Sequence, residues 1–213
     1  MSLNIVFLAR GIPHHGLGGM EIVAWDLARE FARLGHSITF ITTSIPDVCN
    51  QFEEDGVLVI PLPNTRSNRY SEAWWRQSRQ YFEKHCLSTT QAVLSVSAAG
   101  FGLLPIKNKL QGIPFIMQAH GTSLGEVYSK LASNRLLSIL SSARNLMQLP
   151  KDLFYYIKCD AIVAVGERVY RDLMAPPVSW FVPSTLVKLI SNGINTNLFC
   201  PTLKGRSKIR SQH

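Results

Sequence analysis

Apolar positions along the chain alternate between short uncharged runs and longer stretches with helical spacing. Ile5 to Ala9 is uncharged and largely apolar, the pattern of a strand buried on both faces. From Met20 the period lengthens. Met20, Val23, Leu27, Phe31 and Leu34 recur at three and four residues, with Glu21, Asp26, Arg29, Glu30 and Arg33 on the other side. This predicts an amphipathic helix from Met20 to Leu34, closed by Gly35 in a left-handed cap. Ser37 to Thr42 then returns as a second strand. Pro46 to Asp55 reads as a polar loop, and Val57 to Leu62 as a third strand ended by Pro61, Pro63 and Asn64.

A basic loop, Thr65 to Tyr70 with Arg66 and Arg69, precedes a helix that starts at Ser71 as N-cap and runs to about Cys86. Its aromatic residues Trp74, Trp75, Tyr81 and Phe82 share one face, with Arg79 at the edge of that face and Arg76 opposite. Such a helix can lie at an anionic membrane surface or pack on a sheet. The strands on either side of it favour packing.

Ala92 to Ser97 is the next strand, followed by a small-residue turn, Ala98 to Gly102, and a short helix to Leu110. Phe115 to Ala119 is a buried strand ending on His120-Gly121-Thr122-Ser123. A longer helical region follows from about Leu124 to Ile157, interrupted near Pro150. Asp160 to Val165 reads as a strand, Gly166 to Met174 as a helix, and Leu186 to Ser191 as the last strand. The alternation predicts an α/β, Rossmann-like three-layer α/β/α domain with a mainly parallel sheet. Ligands of such sheets sit outside the carboxyl ends of the strands. Gly11 to Gly19, Ser97 to Gly102 and His120 to Ser123 all lie at that edge.

The glycine-rich loop adds chemistry. The first amides of a helix lack internal partners and carry the positive end of its dipole, so the start of the first helix suits an anion. Gly16, Gly18 and Gly19 let backbone approach a ligand closely. The spacing is neither G-x-G-x-x-G nor that of a P-loop, because no Gly-Lys-Ser/Thr follows. A bare tight turn is the alternative reading.

At 213 residues the chain is one large domain or two small ones. No apolar run reaches the roughly 18 residues that argue for a spanning helix. The opening Met-Ser-Leu-Asn lacks the basic-then-apolar pattern of a secretory signal. Cys49, Cys86, Cys159 and Cys200 have no metal-ligand spacing and read as reduced thiols, which points to a cytoplasmic location. The net charge of +8 favours an anionic partner. Part of it resides in Lys204, Arg206, Lys208 and Arg210, so the body is less basic than the total.

Several segments together resemble the family 4 glycosyltransferases of the GT-B fold. They are Gly18-Gly-Met-Glu21, Leu34-Gly-His36 before the second strand, His120-Gly121, Asp160-Ala-Ile-Val-Ala-Val-Gly-Glu167, and Ile190-Ser-Asn-Gly-Ile-Asn195 through Pro201. Gly166 stands where serine is usual, and Asn195 where aspartate is usual. The resemblance covers residues 4 to 201. It implies the N-terminal, acceptor-side domain of a two-domain enzyme, residues 1–200, with 201–213 as a basic linker toward an absent C-terminal nucleotide-sugar domain.

The same resemblance implies a retaining, metal-independent transfer from a nucleotide-sugar to a glycan or lipid-linked acceptor, with no further cofactor. The chain alone is then expected to be incomplete and inactive. It places His120 at the reaction, and Gly18, Gly19, Gly121 and Thr122 near the donor phosphates and sugar. Pro13, His14 and His15 would line the acceptor side, with Arg66 and Arg69 as candidates for an acceptor or lipid phosphate. The setting it implies is polysaccharide or glycolipid synthesis at the cytoplasmic membrane face, with peripheral contact to anionic lipid.

Other classes of protein share parts of this pattern. One is a non-catalytic sugar- or phosphate-binding module of the same fold. A nicotinamide oxidoreductase is disfavoured by the missing fingerprint, and by Thr42-Thr-Ser44 where an acidic ribose partner belongs. Nucleic-acid binding is not expected, since only the charge points to it.

Overall fold

The computed structural model describes residues 1–123, 125, 147–194 and 196. Most of the expected helical region beyond Leu124, the end of the Ile190-to-Pro201 segment, Cys200 and the tail 201–213 lie outside the described residues.

Eight strands form one sheet: β1 (Asn4–Leu8), β2 (Ser37–Thr43), β3 (Phe52–Glu54), β4 (Val57–Leu62), β5 (Ala92–Val96), β6 (Phe115–Ala119), β7 (Ala161–Ala164) and β8 (Val187–Leu189). Their spatial order is β3-β4-β2-β1-β5-β6-β7-β8. Every pairing is parallel except β3 with β4. Helices α1 (Gly19–Arg33), α2 (Glu72–His85) and α3 (Glu167–Met174) join them, along with helical residues 147–156.

The side chains of β1 alternate between two cores, as the twofold period of a strand requires. Ile5 and Phe7 join Phe40, Val57 and Val59 beneath α1. Val6 and Leu8 join Trp74, Phe82, Phe115 and Tyr155 on the opposite face. The architecture is therefore the expected three-layer α/β/α domain.

Ser71 caps α2 as its residue type predicts, with its Oγ accepting from the Trp74 amide at 3.2 Å. Trp74 and Phe82 are buried, so this helix packs on the sheet. The Trp74 indole donates to the Ala99 carbonyl at 3.1 Å, which satisfies its one polar atom.

Several expectations are corrected. The expected face of α1 holds in part: Met20, Leu27 and Phe31 pack partly buried on the core, but Leu34 is 63% exposed and the fully buried residues are Glu21, Ala24, Trp25 and Ala28. Apolar residues wrap much of this helix, and the small Ala24 and Ala28 are the ones that permit close approach to the sheet. The polar loop after β2 contains β3, a three-residue antiparallel edge strand. Its Phe-Glu-Glu sequence has the polar character typical of an edge.

The short helix after β5 is a run of 3₁₀ turns over Ser97–Leu110, kinked at Ile106 behind Pro105. Residues 147–156 stay helical through Pro150. The last strand is shorter than expected, although the Ile190 and Asn192 amides still donate to Ala164 and Val165.

The order of strands positions the site. The chain moves from β1 through α1 to β2 on one side, and from β5 onward through β6, β7 and β8 on the other. Connections leaving β1 and β5 diverge, which opens a crevice between their carboxyl ends. The loop after β6 borders the same crevice.

Candidate active site

The loop from β1 to α1 is tied down from within. His15 Nδ1 accepts from the Ile12 amide at 3.1 Å, which leaves the proton on Nε2, 3.2 Å from the Thr43 carbonyl. Burial lowers the His15 pKa and keeps the ring neutral. The Thr43 hydroxyl donates to the Arg10 carbonyl and accepts from the Asn68 amide at 2.9 Å. One buried threonine thus joins β2, the glycine loop and the loop before α2. Gly16 turns the chain with φ 140°, a conformation that favours glycine.

His14 turns the other way. It pairs with Glu54 of β3 at 3.0 Å and lies against Phe52 and Trp25. Pro13, His14 and His15 form a single 3₁₀ turn that holds the loop. Arg66 and Arg69 are exposed on the loop before α2.

Facing the crevice is a cluster of polar side chains. Glu21, at the third position of α1, is 5% exposed. Its carboxylate meets the Arg10 guanidinium at 3.5 Å and folds back under Gly18. A Cβ on Gly18 would stand 2.2 Å from Glu21 Oε2, whereas one on Gly19 or Gly121 would meet nothing within 4 Å. Gly18 therefore makes room for the carboxylate, and Gly19 and Gly121 present open backbone. The Arg10 guanidinium lies 5.7 Å from the centre of the Tyr70 ring, and the Tyr70 hydroxyl donates to the Val96 carbonyl at 2.8 Å.

His120 leaves β6 half-buried. Burial pulls its pKa down to about 4, and the Glu21 carboxylate opposes that shift without cancelling it. The imidazole is neutral at pH 7. Its Nε2 is buried without a hydrogen-bond partner, as are Arg10 Nε and Asn68 Oδ1. Buried polar atoms are nearly always paired. Orphans on the residues that border one crevice therefore mark where a polar ligand can complete the bonding. Thr122 is buried and accepts from the Gly125 amide at 2.9 Å, so it shapes the turn after His120. Ser97, where β5 ends, holds φ 51°, a strained value for a residue with a Cβ.

The structure thus brings His120 to the crevice that the glycine loop borders. It adds Arg10, Glu21, Asn68 and Tyr70, which the sequence reading did not name as site residues. Two of these had a signal in the sequence: Arg10 is a charge set directly after an apolar strand, and Glu21 belongs to the Gly-Gly-Met-Glu segment. Among the described residues, no group of three His, Cys, Asp or Glu side chains gathers as a metal site.

A Rossmann-like sheet with a glycine loop after β1 and a histidine after β6 defines the class, an α/β domain like one half of a GT-B glycosyltransferase. The model of Glycosyltransferase Family 4 matches residues 17–198, and the chain belongs to that family.

Solved structures share the fold at low identity. A sucrose-phosphate synthase from Thermosynechococcus elongatus is 14% identical with a TM-score of 0.66, over 98% of this chain and 52% of that one. HepE from Anabaena, in complex with UDP and glucose, is 14% identical with a TM-score of 0.60, over 99% and 50%. The catalytic domain of starch synthase IV from Arabidopsis thaliana, bound to ADP and acarbose, is 14% identical with a TM-score of 0.59, over 94% and 54%. The chain spans about half the length of these proteins. No curated protein sequence matches it.

Proposed function

We propose that this domain is the acceptor-side half of a retaining, metal-independent glycosyltransferase that moves a sugar from a nucleotide-sugar to a glycan or lipid-linked acceptor. The observation that carries the reading is the unpartnered Nε2 of a neutral His120 at the β1/β5 crevice, beside the buried Glu21 carboxylate. A neutral imidazole can hydrogen-bond a sugar hydroxyl, and a nearby carboxylate favours positive charge as it develops at an anomeric carbon. The open backbone at Gly19 and Gly121 lets the transferred group lie against the loops.

Two structural relatives are described with UDP or ADP bound, which supports a nucleotide-sugar as donor. In this reading a second unit supplies the donors that hold the diphosphate. Arg66 and Arg69 border the acceptor entrance, and the protein works in the cytoplasm on surface polysaccharide or glycolipid.

The test is turnover of a panel of nucleotide-sugars by the polypeptide that carries both units. Transfer or hydrolysis of one donor is expected, falling at least about 100-fold in His120→Ala with far-UV circular dichroism unchanged. Full activity in that variant would refute the role of His120. Absence of both donor binding and turnover in a folded two-unit protein would refute the transferase reading.

A further inference from the structure

A groove of about 510 Å³ opens on the helical layer between α2, the 97–110 turns and helical residues 147–156. This volume falls within the roughly 300–1,000 Å³ of small-ligand sites. Trp75, Phe101, Leu104 and Phe154 give it an apolar floor, and Arg76 and Arg79 line it from α2. Lys151 adds a third cation, its Nζ 3.7 Å from the centre of the Trp75 ring and 4.4 Å from that of Phe101. Neither arginine enters an ion pair among the described residues. Glu72 is the acid in the lining, so the groove is net positive.

Its border is unusual for a surface left in water. Met147 is 81% exposed, Phe154 49% and Ile157 45%, interleaved with Lys151 and Lys158. Lys158 Nζ lies 5.7 Å from the centre of the Phe154 ring. Exposed apolar side chains set among cations suit an interface where an acyl region meets anionic headgroups.

We propose that this groove seats an acidic membrane lipid, with the acyl chain against Leu104 and Phe154 and the headgroup phosphate held by Arg76 and Arg79. The exposed Met147, Phe154 and Ile157 enter the same interface. This deepens the lipid-linked-acceptor part of the reading above and rests on it, yet vesicle binding measures it without any transfer. Arg33 and Arg171 are exposed, lie outside the groove lining and serve as the control.

The experiment is sedimentation of the chain with phosphatidylcholine vesicles, with or without phosphatidylglycerol, at about 0.1 M salt. Binding is expected only to the anionic vesicles. At roughly fivefold per cation, R76Q/R79Q should weaken partitioning by about 30-fold. Phe154→Ala should weaken it by about tenfold through lost apolar burial, and R33Q/R171Q by no more than about threefold. Circular dichroism confirms that each variant is folded. No sedimentation, equal binding to neutral vesicles, or a loss in R33Q/R171Q as large as in R76Q/R79Q would overturn the proposal. Release by millimolar glycerol phosphate, which has the headgroup chemistry without a chain, would also overturn it by assigning the cations to a free phosphate.

Discussion

Gly18→Ala isolates the contact that shapes the crevice. The Gly18 backbone, at φ −129° and ψ 153°, suits any residue, so conformation is no obstacle. Space is the obstacle. The new methyl would stand 2.2 Å from Glu21 Oε2 and 3.1 Å from its carboxyl carbon. Glu21 must then retreat by more than about 1 Å, since carbon and oxygen rest no closer than roughly 3.4 Å. It is buried and opposite Arg10, so its carboxylate gives up a placed charge wherever it moves. Overpacking of this kind costs about 1–3 kcal/mol.

The assay is urea unfolding, read as a shift in midpoint at constant slope. In a Glu21→Ala background the same glycine substitution should cost less than about 0.5 kcal/mol, giving a coupling of at least roughly 0.5 kcal/mol. Gly19→Ala, at a helical position with no atom within 4 Å of its Cβ, should instead stabilise by about 0.5–1 kcal/mol. Equal losses from Gly18→Ala in both backgrounds would refute the packing argument. So would equal effects of the two alanines.

Two further outcomes are expected. His120 has a folded pKa of about 4 against 6.5 unfolded, so the unfolded chain binds more protons between those values. Its contribution is fully present above pH 6.5 and is lost as pH falls through 4, on the order of 3 kcal/mol. His120→Asn should remove that part of the slope in urea titrations between pH 4 and 7, while His15, shifted the same way, contributes equally to both proteins. Gly102→Ala should destabilise by about 3 kcal/mol, because its Cβ would stand 2.3 Å from the Trp75 carbonyl oxygen and backbone cannot yield as a side chain does. Calorimetry of the two proteins checks it.

Strand and helix order was legible because each period was local. Val57–Leu62 and the Ser71 cap stand where the residue types put them. The buried face of α1 was legible only in part, through Met20, Leu27 and Phe31. Met20, Val23 and Leu27 outrank Ala24 and Ala28 in hydrophobicity, but closeness to the sheet is decided by small side chains, which a hydropathy pattern undervalues. β3 was hidden because three residues with two glutamates show no alternation, and its partner strand is what makes it a strand.

At the candidate site the sequence marked His120 and the glycines, since strand-to-loop junctions are recognisable. It set Glu21 among the solvent-facing residues, because burial of a carboxylate depends on Arg10, eleven positions away, and on room left by Gly18. The roles of His14 and His15 likewise depend on Glu54 and Thr43, which only the fold brings near.

The carboxylate beneath Gly18 changes what the start of α1 can select. A helix start with free amides is indifferent among anions and takes whichever is most concentrated. Here an internal anion and its arginine already occupy that field, and the histidine across the crevice carries no charge at pH 7. The pocket is electrically balanced before any visitor enters, so total charge confers little advantage on a visitor. On the transferase proposal, what distinguishes one visitor from another is the pattern of its hydroxyls against the unpaired Nε2 of His120. If the site takes a sugar as proposed, its occupancy should depend on stereochemistry and far less on salt than binding at the basic helical surface.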